Sequence, residues 1–322
     1  VTAGGRGWRA WGRLGILALF LGFLAVLLAD QWRQVQPLLG RLSVSTLAAA
    51  TVAVLAGHLA TLLSWRAVLN DLGSPLPLAG SLRVFFLGQL GKYVPGSVWP
   101  AVAQMELGRD YEVPQRVSGA AVAATLLISV GAGLLTAVVL VPLAGLGALG
   151  RYWWVVLALP LVILAASPPV LNRLLGLAFR LARRDPLPRP LSLAGTLRSV
   201  GWALTAWLCY GGQVWLLARQ LGVPADLRLL LHSTGAFAGA WCVGFLLVVA
   251  PAGAGVREAA LVLLLGSTMS RPQATVVAVV SRLLFTLADL GWGGVAALAG
   301  RHDRLTRPRS GGRPGRRAGR WP

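Results

Sequence analysis

Apolar runs of membrane-spanning length, separated by short polar connections, set the pattern of the chain. Leu14–Ala29 follows three arginines (Arg6, Arg9, Arg13). It is long enough to cross a bilayer and has no small-residue cleavage motif behind it, so it reads as a first span rather than a signal peptide. Asp30–Arg41 connects it to a second span, Val44–Leu63, ended by Trp65, Arg66, Asn70 and Asp71 and the turn Gly73-Ser74-Pro75-Leu76-Pro77. Further spans are expected at Val117–Val141, Tyr152–Ala166, Val200–Leu221 and Ala274–Ala299. Tyr152, Trp153 and Trp154 supply an interfacial belt for the fourth. Leu171–Leu181 reads as a surface amphipathic helix.

Two further apolar stretches are interrupted. Leu78–Leu107 carries Gly88, Gly91, Lys92, Pro95, Gly96 and Pro100 in its middle. Leu229–Gly266 is broken at Pro251 and holds an Arg257-Glu258 pair. A proline removes a backbone donor and crowds the preceding turn, so clustered prolines and glycines argue for broken, re-entrant helices rather than gentle kinks. The predicted fold is therefore all-α and polytopic. It has about six full transmembrane helices and two broken segments.

Composition sharpens this picture. Apolar residues make up 56 % of the 322 positions and charged residues only 12 %, with a mean hydropathy of +0.69. A soluble globule of this size would carry about a quarter charged residues. The net charge of +20 is almost all arginine, Lys92 being the single lysine. If both broken segments return to the side they enter, 22 basic residues fall on one side and 6 on the other. That asymmetry places both termini in the cytoplasm of a multi-pass plasma-membrane protein. Residues 301–322, rich in Arg, Gly and Pro, read as a disordered basic tail against anionic lipid rather than a nucleic-acid arm. Cys209 and Cys242 sit in apolar runs and read as small buried hydrophobes. His58, His232 and His302 lack metal-ligand spacing, and no phosphate loop or nucleophile elbow is visible, so neither a cofactor nor a soluble catalytic domain is expected.

The broken segments repeat one another. Gly88 stands seven residues before Pro95, as Gly244 does before Pro251, and Pro114-Gln115 and Pro272-Gln273 each open a span downstream. Three full spans separate the copies, an odd number, so halves at about 44–147 and 200–299 have opposite orientations: an inverted repeat, which puts a substrate path near the midplane.

Gly91-Lys92-Tyr93-Val94-Pro95-Gly96-Ser97-Val98-Trp99 and Pro251-Ala252-Gly253-Ala254-Gly255-Val256-Arg257-Glu258 resemble the two signature stretches of the lysylphosphatidylglycerol synthase transmembrane-region family, the flippase-like domain of bacterial multiple peptide resistance factors. The resemblance covers most of residues 14–300. Ala252 stands where the family often has glycine, and Ser97 where a basic residue is common. The resemblance implies lipid translocation or partner binding by the membrane part, not lysyl transfer, which in full-pathway members belongs to a soluble domain that this sequence does not contain.

The candidate site follows from the breaks. A half-helix beginning at Gly253–Val256 would turn its free N–H groups toward the midplane, where Pro251, Gly253 and Gly255 open room for a lipid phosphate. Arg257 would bind that phosphate, with Glu258 holding Arg257 or a cationic headgroup. Lys92, Tyr93, Pro95, Gly96 and Trp99 would line the opposite wall, with Gln104 and Glu106 beyond. Arg282 and Asp289, seven residues apart, share a helix face and can reach the same interior. The alternative for these charges is structural: Arg257-Glu258 pairs with Arg282 or Asp289 and locks helices together. The expected function is translocation of an anionic or aminoacylated phospholipid, or of another lipid-linked substrate. The alternative is a non-transporting partner of a separate lipid-modifying synthase or glycosyltransferase. Expected partners are membrane lipids, such an enzyme and a second copy of the chain, and not nucleic acid.

Overall fold

The computed structural model describes residues 32–93, 98–144, 164, 167–181, 186–246 and 255–306. The expected first span, nearly all of the fourth, residues 307–322 and the tip residues Pro95, Gly96, Pro251 and Gly253 lie outside the described residues. All described regular structure is helical: α1 (Trp32–Leu39), α2 (Val44–Asp71), α3 (Leu78–Leu82), α4 (Trp99–Arg109), α5 (Gln115–Ala144), α6 (Pro168–Leu181), α7 (Leu193–Gln220), α8 (Leu227–Leu246), α9 (Val256–Leu265) and α10 (Arg271–Thr306). A π-helical turn (Arg83–Leu87) and a 3₁₀ turn (Leu90–Tyr93) follow α3. Among the described residues α2, α5, α8 and α10 are long and apolar enough to cross a membrane. The expected fifth span, α7, has 28 residues, but Trp, Tyr, Gly and Gln dilute its apolar content. Ser199 and Gln213 face inward: Ser199 bonds Ser64 at 2.8 Å and Gln213 bonds Ser281 at 2.9 Å.

The ends of α2 and α7 fix the frame. Ser43 caps α2 by accepting the Thr46 N–H at 3.2 Å, and Ser192 caps α7 by accepting the Gly195 N–H at 3.0 Å. Asp71, at the end of α2, accepts from the Ser192 N–H (2.7 Å) and hydroxyl (2.6 Å), so α7 starts where α2 stops. At the other end Thr46 donates to Gln220 at 2.9 Å. The two helices are thus antiparallel, and the bundle has an Asp71 end and a Gln220 end.

Each broken segment returns to the end it left. The first runs out from Leu78 to Tyr93 and back along α4. A Cβ on Gly91 would lie 2.9 Å from Pro100 N, one on Gly88 would fall on the Gln104 side chain, and Arg83 pairs with Asp110 at 2.9 Å near the base. This hairpin opens and closes at the Asp71 end. The second is α8 followed by α9. The Leu264 carbonyl lies 2.9 Å from His232 Nε2, and a Cβ on Gly244 would lie 2.8 Å from Arg257 Cβ. It opens and closes at the Gln220 end, where Gln273 of α10 donates to the Leu221 carbonyl at 3.0 Å. Gly88 and Gly244, paired by spacing in the sequence, both sit where a returning helix comes against the outgoing one. Although one arm of a break, α8 has 20 residues, about 30 Å of helix, and its partner α9 only 10.

Helix boundaries depart from the sequence reading in one direction, toward longer helices. α2 continues to Asp71 because Trp65, 1 % exposed, packs on Phe85 of the first hairpin at 5.6 Å between ring centroids. α10 continues through Thr306, into the segment expected to be disordered. α6 matches the surface-helix expectation, with Leu171 and Leu175 inward and Leu174, Leu177 and Leu181 exposed.

Small residues let the helices approach. A Cβ on Gly211 of α7 would collide with the Thr234 backbone and hydroxyl, whereas around Gly212 there is nothing within 4 Å. Gly211→Ala is expected to destabilise the protein by about 1–3 kcal/mol through overpacking. Gly212→Ala should be neutral or stabilise by up to about 1 kcal/mol through helix propensity. Thermal unfolding of both variants in mild detergent checks the contrast, and equal behaviour would contradict the close α7–α8 approach.

Candidate functional site

The described ends of both hairpins, at Lys92–Tyr93 and Gly255–Glu258, are held on one face of α10. Arg282, Phe285 and Asp289 occupy positions i, i+3 and i+7, so they line one side of the helix over about 10 Å. All three are buried, at 6, 7 and 5 % exposure.

The first tip is held by Asp289. Its Oδ1 lies 3.0 Å from His58 Nε2 of α2 and 2.7 Å from Lys92 Nζ, and its Oδ2 accepts the Tyr93 hydroxyl at 2.6 Å. One carboxylate thereby joins α2, the first hairpin and α10. Lys92 remains the most open member, its side chain 30 % exposed.

The second tip is held by Glu258. Its Oε2 accepts the Gly255 N–H at 2.7 Å, closing the first turn of α9. Its Oε1 lies 3.3 Å from Arg257 Nε and 3.5 Å from Arg282 Nη1. Gly255 has φ +92°, a conformation that favours glycine, so this entry to the helix is specific to the residue. The free helix N-terminus expected from the sequence is thus partly occupied: Glu258 already takes the Gly255 N–H. Glu258 also holds Arg257, as expected, and pairs with Arg282, as the helix-locking alternative required.

Aromatic rings join the two centres. The Arg257 guanidinium carbon lies 5.1 Å from the Phe285 ring centroid and 5.6 Å from that of Phe237, within cation–π range. Phe285 in turn lies 5.3 Å from the His58 ring and 4.9 Å from Tyr210. Among the described residues the cluster contains three basic side chains (Lys92, Arg257, Arg282) and two carboxylates (Glu258, Asp289), which leaves a positive surplus.

Of the expected residues, Lys92, Tyr93 and Asp289 form one centre and Gly255, Arg257, Glu258 and Arg282 the other. Trp99 lies at the start of α4, 45 % exposed, with its backbone against Gly91. Two are not brought in. Glu106 faces outward and pairs with Arg109 at 3.3 Å, the side chains 66 and 60 % exposed. Gln104, 2 % exposed, is buried against Gly88 within the hairpin. His58, Tyr210, Phe237 and Phe285 belong to the cluster and escaped the sequence reading. Only His58 carried a signal, an ionisable group in the middle of a span.

Among the described residues, four helices long and apolar enough to cross a membrane, two hairpins entering from opposite ends and ion pairs that hold each hairpin to α10 define a helical membrane protein with an inverted arrangement of broken segments. The chain belongs to the family of the lysylphosphatidylglycerol synthase TM region, whose model matches residues 11–293. No curated protein matches it.

Proposed function

We propose that the protein moves a phospholipid with an anionic or aminoacylated headgroup between leaflets, and that the headgroup phosphate passes the Lys92–Asp289 and Arg257–Glu258–Arg282 centres. The observation that carries this reading is the positive surplus of the two centres held on one face of α10. An uncompensated buried charge is costly, and a lipid phosphate supplies the missing anion through charge-assisted bonds to a guanidinium. Lys92, partly exposed, is the first cation such a headgroup reaches. Glu258 and Asp289 keep the cations apart and oriented while the site is empty, and Glu258 is available to an aminoacyl ammonium group.

The Asp71 end gathers Arg66, Arg83, Arg109, Arg116, Arg189 and Arg198, against Arg41, Arg219, Arg228 and Arg271 at the Gln220 end. On the positive-inside rule the first hairpin enters from the cytoplasmic side and the second from the outer side.

Translocation is tested in proteoliposomes by the accessibility of a labelled anionic headgroup. The wild-type chain is expected to exchange it between leaflets, and Arg257→Ala and Lys92→Ala to slow exchange about tenfold or more, a tenfold loss corresponding to about 1.4 kcal/mol. Unchanged rates in both variants would remove the site. A wild-type protein that moves no lipid but copurifies with a lipid-modifying enzyme would favour the partner reading instead.

A further inference from the structure

We infer that the Asp71 end carries a second, separate anion site that binds the phosphate of an anionic phospholipid headgroup at the membrane surface. A cavity of about 450 Å³ opens there between the last turns of α2 and the first turns of α7. Arg66, Arg189 and Arg198 converge on it, with Asn70 and Asp71 beside them and Trp202 at its edge. The three arginines come from three different segments: α2, the 186–192 connection and α7.

Asp71, the carboxylate in this wall, does not neutralise them. Both its oxygens are spent on Ser192, at 2.7 and 2.6 Å, as the cap of α7. Among the described residues no ion pair joins a carboxylate to Arg66, Arg189 or Arg198. Arg66 spends one terminal nitrogen on the Leu76 carbonyl at 3.0 Å, while its Nε is buried with no hydrogen-bond partner. A buried donor left unpaired is costly, and a ligand oxygen would satisfy it. Arg189 and Arg198 are exposed, so they can close on a phosphate without unpacking the bundle.

Depth and lining give the ligand class. Arg66 lies five residues before the end of α2, about 7.5 Å along the axis, at the level of an interface rather than the midplane. Trp202, 40 % exposed, is an aromatic of the kind that sits among headgroups. Guanidinium groups on a phosphate, flanked by an amide and an indole, suit a phosphodiester at a membrane surface. The site stands apart from the buried centres on α10, and the inference does not depend on translocation.

The full chain in non-ionic detergent, examined by native mass spectrometry, tests it with phosphatidylglycerol, phosphatidylcholine and inorganic phosphate as probes. The wild type is expected to retain phosphatidylglycerol about tenfold better than phosphatidylcholine. Arg189→Ala/Arg198→Ala should lose one bound phosphatidylglycerol per chain, and Arg189→Lys/Arg198→Lys should keep it. Both pairs are exposed, so unchanged helical content and elution volume confirm that folding is intact. Displacement of the lipid by millimolar inorganic phosphate, lost in the alanine pair, would keep the anion site and assign it a soluble source. Equal retention of the two lipids, or an alanine pair that holds as many phosphatidylglycerol molecules per chain as the wild type, would overturn the inference.

Discussion

Asp289→Asn is expected to loosen the first hairpin from the bundle at a cost of about 3 kcal/mol. The carboxylate is 5 % exposed and serves His58, Lys92 and Tyr93 together. Breaking a buried pair by removing one charge costs about 3–5 kcal/mol because the other is stranded. The low end applies here, since the Lys92 side chain keeps 30 % exposure and can hydrate. Asparagine retains an acceptor for Tyr93 but offers Lys92 no counter-charge. Lys92→Met/Asp289→Asn, which strands no charge and keeps an acceptor for Tyr93, should recover most of the loss. Unfolding by titration of a denaturing detergent measures the cost, and faster amide exchange at 90–93 locates it. Unchanged stability in the single variant would mean that the tip is held by the packing of Gly293 on Leu90 rather than by the carboxylate.

The spans could be read from the sequence because an apolar run in a bilayer has one common solution, a helix that satisfies its own backbone. The ends were less legible. Trp65 and Arg66 look like an interface, yet Trp65 is covered by Phe85 of a hairpin that the local sequence does not show. The start of α7 at Leu193 depends on Ser192, whose partner Asp71 lies 121 positions away. Within the site, Arg257, Glu258, Arg282, Lys92 and Asp289 stand out because ionisable groups in apolar runs need partners. His58 offered the same signal in weaker form, since a neutral imidazole is tolerated in a span. Phe285, Phe237 and Tyr210 offered none, as an aromatic in an apolar run looks the same whether it faces lipid or an arginine. Glu106 shows how proximity in sequence misleads. It stands two residues from the inward Gln104, about 200° around the helix, and so points away from the bundle.

Glu258→Gln probes both readings of the second centre. Glutamine keeps the length of the side chain and an oxygen for the Gly255 N–H, so the first turn of α9 should survive. The negative charge shared by Arg257 and Arg282, at 3.3 and 3.5 Å, is lost. With Glu258 1 % and Arg257 8 % exposed, water cannot easily take its place. A loss of about 3–5 kcal/mol is expected in neutral detergent. If the centre accepts a lipid phosphate, phosphatidylglycerol should restore much of the lost stability. A ligand at a hundred times its dissociation constant contributes about 2.7 kcal/mol to the state that binds it, and phosphatidylcholine should give far less. If these charges only lock α9 to α10, no lipid reaches the guanidinium groups and both lipids will act alike. Rescue selective for the anionic lipid in Glu258→Gln, but absent when Arg257→Ala is added, would tie the effect to this centre rather than to the arginine cavity at the Asp71 end.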